Sequence, residues 1–268
     1  MRFTTFLASI VVVAAVAVAA CSGKGAPPSQ AALYDPQALP TGPVGRSIVY
    51  GHDIIVNTRH LMKGYVRAKM SCAACHLAGG TQPRGGSFVG VYGRFPQWNK
   101  RAHRVITLQD RLAECFLYSM NGRPPAYASK AMIAMVAYIA WLSRGSTVGA
   151  AQPASDRYIE PLPNRSPDVA HGSAIYAQRC IACHGADGAG VAGVYPPIWG
   201  SSSFNRGAGM AHIDRMTGFV RYNMPQNAPG SLTLDEAYDV SAFVLTHERP
   251  RFHRNTLVAP SPEPAAFF

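Results

Sequence analysis

The sequence predicts an all-α chain built as two small domains in tandem. Three observations carry that expectation. Two segments repeat one plan: a helical opening, a Cys-x-x-Cys-His motif, loops, and a closing apolar helix. A proline-rich break from Ser146 to Pro167, holding Pro153, Pro161 and Pro163, separates them. No stretch shows the alternation of a half-buried strand. At 268 residues the chain has room for two such units.

Along the chain, residues 1–20 read as an export signal. Arg2 precedes an apolar run from Phe6 to Ala20 that is short for a membrane span. The run closes on Val18-Ala19-Ala20-Cys21, which resembles a bacterial lipobox. On that reading Cys21 becomes the lipidated first residue of an exported, periplasmic chain tethered to a membrane. Cleavage beside an incidental cysteine, or an uncleaved anchor, are the alternatives. Residues 21–43, rich in Gly, Pro, Ser and Ala, read as a flexible tether. The N-terminal domain spans 44–145, a linker 146–165, the C-terminal domain 166–250, and a proline-containing tail 251–268.

Within the first domain, Thr107 is placed to cap a helix from Leu108 to about Met120, with Gly122 as its stop. A closing helix from about Ser129 to Ser143 carries Met132, Val136, Ile139 and Ala140 on one stripe. In the second domain, Ser166 is a candidate N-cap with Pro167 at the first helical position. Val169, Gly172, Ile175 and Tyr176 follow at helical spacing. Thr233 and Glu236 fit a capping box for the last helix, which ends before Pro250.

Hydrophobic residues make up 48% and charged residues 15%, which excludes wholesale disorder. The formal net charge of +11 favours an anionic partner. No nucleic-acid motif and no run of five basic residues accompanies it, so nucleic acid is not an expected partner. A merely basic surface is the plain alternative.

Cys72-Ala-Ala-Cys75-His76 and Cys180-Ile-Ala-Cys183-His184 match the attachment pattern for c-type haem, in which two thiols add to the vinyl groups and the adjacent His becomes the proximal iron ligand. A redox thiol pair or half a zinc site competes with either copy taken alone. Two copies, each followed by His, favour two covalently bound haem c groups. The order of helix, motif, loops and closing helix resembles class I cytochrome c domains over roughly 45–145 and 165–250.

Six cysteines are present; four lie in the motifs and one is Cys21, which leaves Cys115 without a partner. A lone thiol in an oxidising compartment needs a reason. Met224, before Pro225 and ahead of the closing helix, sits where cytochrome c domains carry a methionine sixth ligand. Met224 follows His184 by 40 residues and Cys115 follows His76 by 39, so the two occupy one slot of the repeat. Thiolate is a competent axial ligand. Met120 competes for the first iron, leaving Cys115 as a small buried hydrophobe. His103 and His212, at 27 and 28 residues past their proximal His, are further rivals that read more simply as surface or propionate-contacting groups. Met210 and Met216 read as core.

On the expected helix, Arg111, Cys115 and Ser119 are spaced i−4, i and i+4 and share a face. Arg94, Lys100, Arg101 and Arg104 lie upstream. This points to an anionic substrate near the first haem, against the plain alternative of a solvated basic face.

Gly79 to Arg84 (GGTQPR), Phe88-Val-Gly-Val-Tyr-Gly-Arg94, Ile106-Thr-Leu-Gln-Asp-Arg111, Cys115-Phe-Leu-Tyr-Ser-Met-Asn-Gly122, Met132 to Ser143 and Val220-Arg-Tyr-Asn-Met-Pro225 together resemble the dihaem thiosulfate dehydrogenases over nearly the whole mature chain. The resemblance implies coupling of two thiosulfates into tetrathionate, with electrons passing to a cytochrome or similar redox protein. It implies His76 and Cys115 as ligands of the first iron, with Arg101, Arg111 and Ser119 at the substrate. Some members carry Lys immediately before the methionine ligand; here Asn223 stands there, so His184 and Met224 are the implied pair at the second iron. The rival functions are a non-catalytic dihaem electron carrier and the same enzyme working as a tetrathionate reductase.

Overall fold

The computed structural model describes residues 34–149, 159 and 161–252. The expected export signal, Cys21 and nearly all of the tail lie outside the described residues. Six helices of ten or more residues dominate: α1 (Pro43–Leu61), α2 (Leu108–Leu117), α3 (Lys130–Leu142), α4 (Val169–Arg179), α5 (Ile213–Asn223) and α6 (Leu234–Thr246). The all-α expectation therefore holds, with one addition. β1 (Gln97–Asn99) and β2 (Arg104–Ile106) form a small antiparallel hairpin, Trp98 opposite Val105. Three residues per strand are too few for an alternating pattern to stand out.

Helix starts follow local chemistry. Thr107 and Asp110 form a reciprocal capping box at α2, as Thr233 and Glu236 do at α6. Ser129 accepts the Met132 N–H at the start of α3. The start of α4 departs from the expectation of a Ser166 cap: Asp168 is the N-cap and accepts from His171 N–H, so the helix begins two residues later. The buried Asp239 carboxylate decides this, because it accepts the Asp168 backbone N–H at 2.9 Å and binds Arg165 through two oxygens.

In each half the first helix crosses the last at a glycine. A Cβ on Gly51 would stand 2.0 Å from Ala134 O, and one on Gly172 would stand 2.1 Å from Asp239 O. The first core gathers Ile48, Ile54, Ile55, Met132, Met135, Tyr138 and Ile139. Met135 and Tyr138 belong to the buried stripe of α3, whereas Val136 and Ala140 are only half-buried. The second core gathers Ile175, Tyr176, Trp199, Met216 and Val240, and takes in Ala68, Met70, Tyr118 and Met120 from the first half. The halves thus share apolar packing, and Tyr34, inside the expected tether, stacks on His52 at 4.2 Å. Among the described residues, no helix is long and apolar enough to cross a membrane.

Candidate functional site

The two Cys-x-x-Cys-His motifs are built alike. Each is a tight turn in which the His N–H reaches the carbonyl of the first cysteine at 2.9 Å, His76 to Cys72 and His184 to Cys180. All four motif thiols and Cys115 are free, with no disulfide among the described residues. In each half the imidazole Nδ1 donates to a downstream carbonyl: His76 to Gly86 O at 2.6 Å, His184 to Pro196 O at 3.1 Å. That bond fixes the tautomer and leaves Nε2 as a lone-pair donor, the state a metal-bound imidazole requires. Burial lowers His76 to about 4, partly opposed by the Gly86 bond and helped by the Arg111 charge. Burial lowers His184 as well. Both rings are therefore neutral at physiological pH.

Around the first motif the support is specific. Gly86 has φ +68°, and a Cβ there would stand 2.5 Å from Cys75 O and 3.0 Å from His76 Nδ1. Phe88 stacks on the His76 ring with centroids 4.2 Å apart. Thr58, fully buried on α1, accepts the Cys72 N–H at 3.0 Å and lies 3.1 Å from its Sγ. Neither Thr58 nor Gly86 was legible as site chemistry, since each acts only through a contact formed by folding.

Cys115 lies on α2 within electrostatic reach of Cys72 and Cys75. Burial pushes both of those thiols to about 12, and the Cys115 charge adds to the rise at each. Of the rivals, Met120 is 2% exposed in the shared core, His103 is exposed in the turn of the hairpin, and His212 is exposed at the start of α5.

The basic side chains separate. Arg104 binds Asp110 at 3.1 Å, a structural pair at the start of α2. Arg111 binds the buried Glu114 at 3.2 Å, and Asn99 Nδ2 donates to the other Glu114 oxygen at 3.0 Å. The Arg101 guanidinium lies over the Tyr118 ring at 4.3 Å and donates to Gly207 O of the second half at 3.0 Å. Arg101, Glu114 and Arg111 all bear electrostatically on Tyr118, the residue that follows the last turn of α2. Glu114 and Tyr118 were not singled out by sequence, although the i,i+3 spacing of Arg111 and Glu114 is a visible signal.

Ser119 departs from its expected place. The helix ends at Leu117 rather than near Met120, so Ser119 does not extend the helical face of Arg111 and Cys115. Asn205 takes the terminal carbonyls instead: its Nδ2 donates to Leu117 O at 2.8 Å and its N–H to Tyr118 O at 3.2 Å. Gly122 N–H closes back on Phe116 O, and Asn121 adopts φ +47°. A segment from the second half thus stops the helix early.

At the second motif, Cys180, Cys183, His184 and Met224 line one cavity of about 330 Å³, with Met210, Met216, Phe219 and Val220. Ala74 and Cys75 of the first half reach the same cavity. Apolar walls, unpaired thiols and an imidazole held by its Nδ1 are what a covalently attached haem requires, so these residues fit the group.

Two family models match the chain. The SoxA/TsdA cytochrome c domain covers residues 63–148, and the domain described as cytochrome c oxidase, cbb3-type, subunit III covers 167–244. A thiosulfate dehydrogenase from Allochromatium vinosum is 43% identical over 240 residues, 85% of this chain and 88% of that protein. One from Stutzerimonas stutzeri is 37% identical over 86% of this chain and 76% of that protein. The solved structure of thiosulfate dehydrogenase (TsdBA) from Marichromatium purpuratum superposes with a TM-score of 0.78 at 32% identity, over 83% of this chain. This chain spans half the length of that solved chain. The two motifs, the two matching cytochrome c domains and the length of the likeness converge: the chain carries two covalent haem c groups and belongs to the thiosulfate dehydrogenase family.

Proposed function

We propose that the chain oxidises two thiosulfates to tetrathionate at the first haem and passes two electrons through the second to an external redox protein. His76 and Cys115 would hold the first iron, and His184 and Met224 the second. When bound, each haem supplies a one-electron acceptor, so the pair takes the two electrons released as the sulfur–sulfur bond forms. The balance is two thiosulfate dianions giving one tetrathionate dianion and two electrons, with no proton released, so no general base is required.

The protein's own task is to bring two dianions together. Four unit-charge pairs at about 5 Å repel by roughly 13 kcal/mol at an effective dielectric near 20. Arg101 and Arg111 offer positive charge and forked donors to the oxoanions. The observation that carries this reading is that Arg111 pairs with Glu114 and Arg101 lies over Tyr118, on and just past the helix that carries Cys115. Ser119, half-buried beyond the end of α2, is proposed as a hydroxyl contact to substrate.

Thiosulfate-dependent ferricyanide reduction with tetrathionate as product tests the proposal, alongside tetrathionate reduction in the reverse direction. Cys115→Ala is expected to abolish both while the protein keeps two covalent haems. Normal turnover by that variant would remove the first haem as the site. The N-terminal pattern supports an exported, periplasmic chain tethered through Cys21. Palmitate labelling of the wild type that is lost in Cys21→Ser is the expected result.

A further inference from the structure

Asn223 joins the two haem-binding halves, linking the end of α5 to the loop that follows His76. It is the last residue of α5, immediately before Met224, and is 1% exposed. Its side-chain amide is engaged on both sides. Nδ2 donates to Phe219 O in its own helix at 3.0 Å and to Arg84 O in the first half at 3.0 Å. Oδ1 accepts from Gln82 Nε2, also in the first half, at 2.9 Å. Beside it, the Arg84 guanidinium lies over the Tyr222 ring at 4.1 Å.

Gln82 and Arg84 belong to the loop that returns from His76. Leu77 N–H donates to Gly85 O at 2.8 Å, Gln82 N–H donates to Leu77 O at 3.3 Å, and Gly86 O accepts the hydrogen bond from His76 Nδ1. One short chain of covalent and hydrogen bonds therefore runs from Met224 through Asn223 to the loop that orients His76. A buried amide with every bond made is costly to leave half-satisfied, so this junction has one well-defined geometry. Methionine, by contrast, is unbranched, with three rotatable bonds and a weakly coordinating thioether, so its place depends on the backbone that presents it. The chain leaves α5 at Met224 with φ −121° and ψ 145°, and the Asn223 bond to Phe219 O secures the final turn before that exit.

We propose that Asn223 is a positioning residue that keeps Met224 on the second iron by anchoring the end of α5 to Gln82 and Arg84 of the first half. The hold of the methionine on its iron then depends on the two halves remaining docked. This rests on Met224 being the sixth ligand, as proposed above.

The test uses the full-length protein with both haems attached, in Asn223→Ala, Gln82→Ala and the double variant. The readouts are the methionine–iron charge-transfer absorption of the oxidised protein and the reduction potential of the second haem. Asn223→Ala is expected to lose at least half of that absorption with a lower potential. Gln82→Ala, which leaves α5 and Met224 untouched, is expected to lose a smaller part, and the double variant less than the sum of the two. A merely structural role would lower the melting temperature and leave the band in place. A wild-type band in Asn223→Ala overturns the proposal while Met224 ligation stands. If that variant fails to fold or to keep both haems, Gln82→Ala decides, and an unchanged band there overturns the proposal. A wild-type band that is missing, or that survives Met224→Ala, overturns both this proposal and the ligand assignment.

Discussion

Arg111 Nη1 lies 3.2 Å from Oε2 of Glu114, a buried carboxylate one turn along the helix that carries Cys115. The ion pair holds the guanidinium in one orientation beside the first motif, where its charge helps keep His76 neutral. A charge-assisted hydrogen bond contributes about 1.5–3 kcal/mol. Arg111→Ala is therefore expected to reduce kcat/KM for thiosulfate by about 10- to 100-fold, mainly through KM. Arg111→Lys recovers only part, since the forked geometry is lost. Steady-state kinetics across a salt series checks this, and the variant shows a shallower salt dependence than the wild type.

Asp110 predicts a pH window. Burial would raise its pKa, but Arg104, Tyr127 and the Thr107 cap outweigh it and hold the group at about 2, below its ordinary 3.8. A depressed folded pKa contributes stability above the unfolded value, and that stability is lost as pH falls through the folded one. The loss is therefore expected between about pH 4 and pH 2. Its size is at most about 2 kcal/mol once solvent screening is allowed for. Urea midpoints are expected to fall over that window in the wild type and to fall less steeply, from a lower starting value, in Asp110→Asn, where the paired Asp239 and Glu236 still titrate.

The helix crossings predict a matched pair of variants. Gly51→Ala and Gly172→Ala each place a methyl about 2 Å from a carbonyl oxygen of the facing helix, Ala134 and Asp239 respectively. Neither oxygen belongs to a flexible side chain, so the helices must separate. Each variant is expected to lose about 1–3 kcal/mol. Thermal melts of the holoprotein measure this, and similar losses in the two halves test the structural repeat.

Gly86 predicts a haem-loading defect. A methyl there meets Cys75 O and His76 Nδ1, at a φ of +68° that disfavours any side chain. Gly86→Ala is expected to displace the carbonyl that holds His76 and to shift covalent haem content from two per chain towards one. Haem-to-protein ratio and peptide mapping of the attached haem check which half is affected.

The parts legible in advance are those written in short-range chemistry. The two haem motifs require three adjacent groups, and their spacing is complete in the primary structure. Thr107 and Thr233 cap their helices through residues three positions away, so each box is visible as a pair. Local spacing alone does not locate the start of α4, because Ser166 and Asp168 are both good caps. Asp239, more than 70 residues downstream, selects the second of them. The i+4 spacing puts Ser119 on a helical face that Asn205 of the other half cuts short.

Covalent pattern and local periodicity were therefore enough for two helical haem-binding repeats, their proximal histidines, and the oddity of an unpaired cysteine at the methionine slot. Folding alone brought Arg101 over Tyr118, set Glu114 against Arg111, and tied Asn223 to Gln82 and Arg84. The reason is physical. A capping box or haem motif satisfies its partners within a few residues of chain. A buried amide or carboxylate draws its partners from whatever backbone the packed core brings within about 3 Å, and no local spacing encodes which one that will be.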